Sequence, residues 1–311
     1  MKDVAASVLA KLKNRAKELD IPYQQCLQIF AQEEFLRKLS KSKYSDNFIL
    51  KGGYFIYTLT NFESRTTIDI DFLLRQMSTS LDDVKEVIKN IIETSTGNDY
   101  IRMIARGFEE ISPQRKYKGI SAQIIAEIKH VRIPFSIDIG IGDVIVPHAQ
   151  SNVVNTQLLE FEKPEVKTYS LESVIAEKFD AILQRFEFTS RMKDFYDIHY
   201  ISQHFDFNGL ILQEAIYETL HYRGTDYNNK TFSRILELVN NEQIQWRWRN
   251  FLKDMPGVYS EFSEIMDDIQ SFLEPIFNAI VNETQFFSNW NALESKWANI
   301  QKKRRNGDVG E

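Results

Sequence analysis

Residues 65–72 read Arg-Thr-Thr-Ile-Asp-Ile-Asp-Phe, and the expected fold depends on this stretch. From Ile68 onward, apolar side chains alternate with Asp69 and Asp71, which is the period of a β-strand with one buried face. Such a strand presents both carboxylates side by side on its other face. Taken alone, an Asp-x-Asp pair on an exposed strand face is more often solvated surface than a binding site.

The segment before this stretch predicts a strand, a tight turn and a helix. A short apolar run at 48–50 is followed by Lys51, Gly52 and Gly53, and then by the apolar segment 54–59. Glycine tolerates the sharp bend that such a junction needs. Backbone N–H groups at a helix N-terminus bind phosphate oxygens, so we expect the Gly-Gly turn to bind phosphate.

A third carboxylate occurs on a later strand. Residues 135–141 alternate again, with Asp138 on the face opposite to the apolar side chains. Neighbouring carboxylates offer the oxygen ligands that Mg²⁺ prefers, and metal-bound triphosphates are the substrates of phosphoryl and nucleotidyl transfer. The order of these segments predicts a nucleotidyltransferase, in which Lys51 or Arg65 adds positive charge. The predicted magnesium ligands are the three carboxylates: Asp69, Asp71 and Asp138.

The pattern of the chain changes after Pro164, where helical spacing with aromatic residues replaces the strands. We therefore place a domain boundary near residue 165. A nucleotidyltransferase-like α/β domain is expected at 1–165 and a helical domain at 166–311, so the predicted fold class is α+β.

Two segments of the helical part carry charged residues on apolar faces. Lys178 lies on the apolar stripe of its helix, where its ammonium group either meets an anion or extends to water. Asp194 and Asp197 lie three residues apart on the next helix, so at least one carboxylate faces partly buried surroundings. In a structural role this carboxylate pairs with Arg191 or Lys193 or caps the helix. In a functional role Asp194 pairs with Lys178 or Arg191. We predict that Asp194 lies in the site and that Asp197 is structural.

Composition limits the class of protein. The 311 residues are 43% hydrophobic and 26% charged, which is ordinary for a globular chain with a substantial core. The single cysteine, Cys26, excludes disulfides within the chain and favours a reducing compartment. Cations at residues 11–17 interrupt any signal peptide, and no run approaches membrane-spanning length, so we expect a cytoplasmic protein. The net charge of −6 argues against coating nucleic acid by overall attraction.

These motifs together resemble the AbiEii/AbiGii toxin nucleotidyltransferases of bacterial abortive-infection and type IV toxin–antitoxin systems. The resemblance is carried by four ordered segments, which read FILKGG at 48–53, RTTIDIDF at 65–72, LESVIAEK at 171–178 and RMKDFYDI at 191–198. It implies a DNA polymerase β-like nucleotidyltransferase fold, with a mixed sheet, flanking helices and an appended helical domain. Some members carry serine where this chain has Gly53, and its absence removes one hydroxyl contact to phosphate.

The resemblance also implies roles for individual residues. Lys178 would contact the nucleotide phosphates or the catalytic centre, and Asp194 would hold that lysine in the cleft. The expected catalytic residues converge on one cleft: Asp69, Asp71, Asp138, Lys178 and Asp194. The expected nucleotide-binding residues surround the Gly-Gly turn: Lys51, Gly52, Gly53, Arg65 and Thr67.

The reaction implied by the resemblance is transfer of a nucleoside monophosphate from an NTP to RNA, particularly the tRNA acceptor end. It would depend on Mg²⁺ or Mn²⁺ and act as a toxin, with a cognate antitoxin as a further partner. Basic residues that could line the acceptor side fall into two groups: Arg102, Arg106, Arg115, Lys116 and Lys118, then Lys129, His130 and Arg132. Residues 246–249 combine tryptophan and arginine, which suits unpaired bases, although tryptophans packed in a helical core explain this segment better.

Two other functions compete with this interpretation. Asp-x-Asp also occurs in glycosyltransferases, where it binds a metal and a nucleotide sugar, but the Gly-Gly turn and the Lys178 helix do not belong to that pattern. The second is a non-catalytic nucleotide-binding module of the same fold. The presence of Asp69, Asp71 and Asp138 together argues against it.

Overall fold

A computed structural model describes residues 3–111, 119–253, 255 and 260–299. The chain divides into two compact units, residues 1–170 and 171–311. The first unit contains a mixed sheet with helices, and the described part of the second is mainly helical. The α+β fold class is therefore confirmed. None of the described helices is both long and apolar enough to cross a membrane.

Within the described residues of the first unit, seven strands form one sheet in the order β3-β4-β5-β2-β1-β7-β6. Strand β2 is parallel to β5 and antiparallel to β1, and β1 is parallel to β7. The elements of this unit follow in chain order: α1 (Val4–Glu18), α2 (Tyr23–Ser40), β1 (Phe48–Lys51), α3 (Gly52–Leu59), β2 (Ile70–Leu74), α4 (Leu81–Glu93), β3 (Ile101–Ile111), β4 (Gly119–Ile128), β5 (Val131–Ile141), β6 (Gln150–Val153) and β7 (Glu165–Thr168).

Strand β2 is shorter than the alternating pattern predicts. It begins at Ile70, and the Ile68 side chain, which we expected to be buried, is 50% exposed. The pairing of β1 with β2 ends where Lys51 meets Asp71, because the chain turns into α3 at Gly52. The segment before β2 therefore has no partner on that side and remains irregular.

Helix α2 buries polar side chains as well as apolar ones. Arg37 Nε donates a hydrogen bond to Glu34 at 2.7 Å, and the backbone N–H of Gln157 donates to Glu33 at 2.8 Å. Burial raises the pKa of Glu33 to about 7. The folded chain therefore favours the protonated form of this carboxyl group more than the unfolded chain does.

The second unit also contains a small sheet that the sequence patterns do not predict. Three strands pair in the order β10-β9-β8, with Phe207 and Trp297 both opposite Trp290. Strands of two to four residues are too short to show alternation. The elements of this unit follow in chain order: α5 (Leu171–Arg185), a 3₁₀ turn (Phe186–Phe188), α6 (Met192–His204), β8 (Phe207–Asn208), α7 (Gly209–Arg223), α8 (Thr231–Leu236), a 3₁₀ turn (Glu237–Asn240), α9 (Glu242–Leu252), α10 (Phe262–Val281), β9 (Ser288–Asn291) and β10 (Lys296–Asn299).

Candidate active site

Two neighbouring parallel strands bring Asp71 and Asp138 together. The register of β2 and β5 places Asp71 directly opposite Asp138, and side chains at one register of adjacent strands point to the same face. Both residues are partly buried. Ser121 Oγ on β4 donates a hydrogen bond to Asp138 Oδ1 at 2.7 Å. One point of the sheet therefore presents two carboxylates, one of them oriented by a hydroxyl group.

The glycine turn lies against these residues. Gly52 has φ +71°, and a Cβ added to it would overlap Asp71 Oδ2 and lie 3.1 Å from Asp71 Cγ. A Cβ on Gly53 would lie 2.9 Å from Arg65 Nη2 and 3.4 Å from Thr67 Oγ1. Helix α3 starts at Gly52, and the first N–H groups of a helix have no partner within the helix. The structure therefore brings this helix start together with a carboxylate, a guanidinium group and a hydroxyl.

Lys51 completes this group from the end of β1. It lies opposite Asp71 in the ladder, and its Nζ donates to Asp143 Oδ2 at 2.8 Å. The same Nζ lies 3.5 Å from Tyr169 OH and 5.1 Å from the centre of that ring. Sequence patterns did not identify Asp143, because it follows β5 in a loop. Its contact with Lys51 depends on the order β5-β2-β1, which no local signal encodes.

Asp69 lies in the irregular segment before β2 and is exposed. Its backbone N–H donates to Thr67 Oγ1 at 3.4 Å. The preceding carbonyl, Ile68 O, accepts a hydrogen bond from Gln32 Nε2 at 2.7 Å. Gln32 is fully buried on α2, and its Oε1 has no hydrogen-bond partner among the described residues. A buried amide with only one of its two ends hydrogen-bonded costs stability. We therefore interpret Gln32 as a residue that holds the segment before β2. No sequence pattern identified it.

The positions of the three predicted carboxylates show which of them could share a metal ion. Within the described residues, no three or more His, Cys, Asp or Glu side chains are grouped so that they could hold a metal ion. The structure places Asp71 beside Asp138, with Asp69 exposed ahead of the strand. Mg²⁺ commonly takes one or two carboxylates and completes its shell with water and substrate phosphates. The hard oxygen donors of this pair therefore fit Mg²⁺ that arrives with a triphosphate.

The helical unit contains its own buried charge cluster. Lys178 Nζ donates to Asp197 Oδ2 at 2.5 Å and to Asp194 Oδ1 at 3.3 Å. Arg191 Nε lies 2.6 Å from Asp194 Oδ2, as an ion pair without the alignment of a hydrogen bond. Asp194 and Asp197 are almost fully buried. The lysine in the apolar stripe therefore meets anions, and Asp197 is the nearer of the two.

The residues predicted to bind the acceptor differ in their surroundings. Arg102 and Arg106 are exposed on β3, whereas Lys129 is paired with Asp3. His130 is exposed, and Arg132 Nε lies 3.5 Å from Glu127. Three predicted residues lie outside the described part of the chain: Arg115, Lys116 and Lys118.

The tryptophan and arginine segment is partly core. Trp248 is buried, and its Nε1 donates to Ser260 O at 2.9 Å. Trp246 is 62% exposed. Arg247 Nη1 donates to Thr189 O at 2.7 Å, so this arginine contributes to packing in the second unit.

Known proteins match this chain in family and in fold. The family model described as "Nucleotidyl transferase AbiEii toxin, Type IV TA system" matches residues 34–274. Among solved structures, the nucleotidyltransferase toxin MenT4 of Mycobacterium tuberculosis H37Rv is similar, with a TM-score of 0.52 and 13% identity, covering 90% of this chain and 99% of that one. A putative nucleotidyltransferase from H. pylori matches with a TM-score of 0.48 and 13% identity, over 86% of this chain and 100% of that one. No curated protein sequence matches the chain.

Proposed function

Because this chain belongs to the AbiEii family of nucleotidyltransferase toxins of type IV toxin–antitoxin systems, we propose that it transfers a nucleoside monophosphate from an NTP to RNA. The membership confirms the resemblance inferred from the four sequence motifs, and it makes the chain a nucleotidyltransferase. We further propose the acceptor end of tRNA as the target. The family also suggests an antitoxin as a partner.

One observation carries the assignment of the site. Gly52 packs so closely on Asp71 that a Cβ at residue 52 would displace the Asp71 carboxylate. Nucleotidyl transfer needs a group that binds phosphate and a carboxylate that binds metal, and the first residue of α3 lies against the Asp71 carboxylate. This contact supports Gly52 and Gly53 as the triphosphate-binding turn.

The remaining residues around the turn have distinct proposed roles. Arg65 and Lys51 supply positive charge for the phosphates, and the Thr67 hydroxyl lies beside Gly53 to add a hydrogen bond. Asp143 holds the Lys51 ammonium group at 2.8 Å. These contacts keep the cations of the site at the start of α3, where charge accumulates on the leaving pyrophosphate.

We propose that Asp71 and Asp138 hold Mg²⁺, with Mn²⁺ as a substitute, and that the exposed Asp69 supplies a further oxygen to the same ion. When bound, this ion would neutralise phosphate charge and polarise the α-phosphate. In the transfer, an acceptor hydroxyl oxygen forms a bond to the α-phosphorus, and the bond from this phosphorus to the bridging oxygen breaks. The hydroxyl proton leaves to solvent or base, and pyrophosphate leaves with the electron pair.

Lys178 and Asp194 are proposed as further residues that the transfer requires. Their support is the buried cluster itself, in which a lysine with side-chain exposure of 10% meets two carboxylates. Burying charge costs stability even when it is paired. We infer that the arrangement of this cluster serves the transfer as well as the packing.

The family match favours an NTP over a nucleotide sugar as the donor. RNA as the acceptor is supported by the exposed cations Arg102 and Arg106 on β3, since phosphate contacts dominate the affinity for nucleic acids. An acidic chain with a few exposed cations suits a local RNA contact better than general coating.

Labelling tests the proposal. Total cellular RNA and protein are incubated with the chain, Mg²⁺ and each α-labelled NTP in turn, and we expect label in RNA. The matched variant Asp71→Asn removes a metal-binding charge with little change in size, so it keeps the fold and loses incorporation. Label in protein alone would contradict the RNA acceptor. An active Asp71→Asn variant would contradict the site.

A further inference from the structure

A cavity of about 670 Å³ lies within the second unit, and none of the residues proposed for nucleotidyl transfer lines it. One wall is a single face of α7, where Leu210, Glu214 and Tyr217 follow helical spacing. The opposite wall is the end of α10, with Ile280 and then Glu283. The cavity therefore lies between one helix face and one helix end.

The charged and aromatic groups of the cavity all favour a cation. Glu214 and Glu283 are exposed acids that make no ion pair with any residue in the described ranges. Tyr217 and Tyr227 add aromatic rings, whose faces attract cations. The Tyr217 ring also stacks on the His221 ring, with the two centroids 6.0 Å apart. Tyr217, Tyr227 and Glu283 line the same cavity, and burial, together with the nearby Tyr217 and Glu283, raises the pKa of Tyr227. The described residues that line the cavity include no Lys, Arg or His.

The C-terminal end of α10 adds negative electrostatic potential to the cavity. The helix is 20 residues long, and its last turn contains no basic residue. A helix C-terminus carries partial negative charge, which cations stabilise. Glu283 follows this helix end and lines the cavity with Ile280 and Val281, so the helix end and the carboxylate both favour a cation.

The cavity also has apolar and rigid walls. Leu210, Ile280 and Val281 supply hydrocarbon surface. Gln213 Oε1 accepts a hydrogen bond from Phe286 N at 2.9 Å, and its Nε2 donates to Thr284 O at 2.5 Å. Both ends of this amide are used to fix one wall, and a preformed site loses less entropy on binding.

We propose that this cavity binds an aliphatic cation, that is, an ammonium or guanidinium group on a hydrocarbon stem. The cationic group lies between the two carboxylates and the tyrosine rings. The stem packs on the apolar wall formed by Leu210 and Ile280. A free polyamine and a lysine or arginine side chain of a partner protein share this chemistry.

Calorimetry with the full chain tests the site. The probes are spermidine, a short lysine-rich peptide, and 1,8-octanediol as a neutral molecule of similar length. The cavity variant carries Glu214→Gln and Glu283→Gln. The control carries Glu242→Gln and Asp267→Asn, which change the same charge at exposed positions that do not line the cavity.

We expect saturable binding of a cation, with an affinity lowered about tenfold or more in the cavity variant and unchanged in the control. Octanediol does not bind. Binding of spermidine identifies a free polyamine as a sufficient ligand, and binding of the peptide alone identifies a protein side chain. The proposal is overturned if neither cation binds, or if both double variants weaken binding equally.

Discussion

The contact between Gly52 and Asp71 allows a prediction with an internal control. Gly52→Ala and Gly97→Ala both place a Cβ on a residue with positive φ, at +71° and +82°. An L-residue in this conformation costs about 1 kcal/mol. A Cβ at residue 97 has no atom within 4 Å, whereas one at residue 52 overlaps the Asp71 carboxylate. Both variants therefore share the backbone cost, and only Gly52→Ala displaces a site residue.

The two costs are measured separately. Thermal unfolding should show a loss of about 2–4 °C for Gly97→Ala and a somewhat larger loss for Gly52→Ala. Incorporation of labelled nucleotide should be unchanged in Gly97→Ala and reduced about 100-fold in Gly52→Ala, since a displacement of about 1 Å costs that much at a catalytic site. Circular dichroism establishes that both variants are folded. A folded, fully active Gly52→Ala variant would refute the role of this contact.

Three further predictions concern buried polar groups. Gln32→Leu should keep or raise stability but lower incorporation about tenfold, because the segment before β2 is no longer held. The control Gln28→Leu removes a similar bond, to Pro134 O, and should leave incorporation unchanged. Equal losses of incorporation in the two variants would contradict a specific role for Gln32. Burial raises the pKa of Glu33 to about 7, so the contribution of Glu33 to stability should fall as pH rises from about 4.5 through about 7. Denaturant titrations should show Glu33→Gln gaining about 3 kcal/mol relative to wild type over that range. A difference that does not change with pH would refute this prediction. Lys178→Met should lower the free energy of unfolding by about 3 kcal/mol, because it removes the lysine partner of two buried carboxylates. Adding Asp197→Asn should recover part of this stability but not the incorporation of nucleotide. Recovery of incorporation in the double variant would assign Lys178 to packing alone.

Much of the site could be predicted from local patterns. The turn at Gly52, the alternation around Asp71 and the later strand with Asp138 are each encoded within a few residues. Their proximity follows once β2 lies between β1 and β5. The boundary of β2 at Ile70 could not be predicted, because it depends on where β1 ends in the adjacent strand.

Other features depend on contacts between distant segments. Asp143 becomes part of the site only through a bond to Lys51, 92 residues away in sequence. Gln32 occurs in a helix whose apolar residues dominate the pattern, so its bond to Ile68 O leaves no local signal. The small sheet of the second unit depends on the pairing of Phe207 with Trp290 across 83 positions of sequence.

The position of β2 between an antiparallel and a parallel neighbour limits how this chain can change in length. Gain or loss of one residue within β2 would shift its frame and place Ile70 or Phe72 where Asp71 now meets Asp138. The oxygen donors would then be replaced by hydrocarbon. Insertions and deletions among related chains are therefore expected in the loops that connect the strands. A sequence alignment that opens a gap inside β2 would pair Asp71 with a residue that is not its structural equivalent.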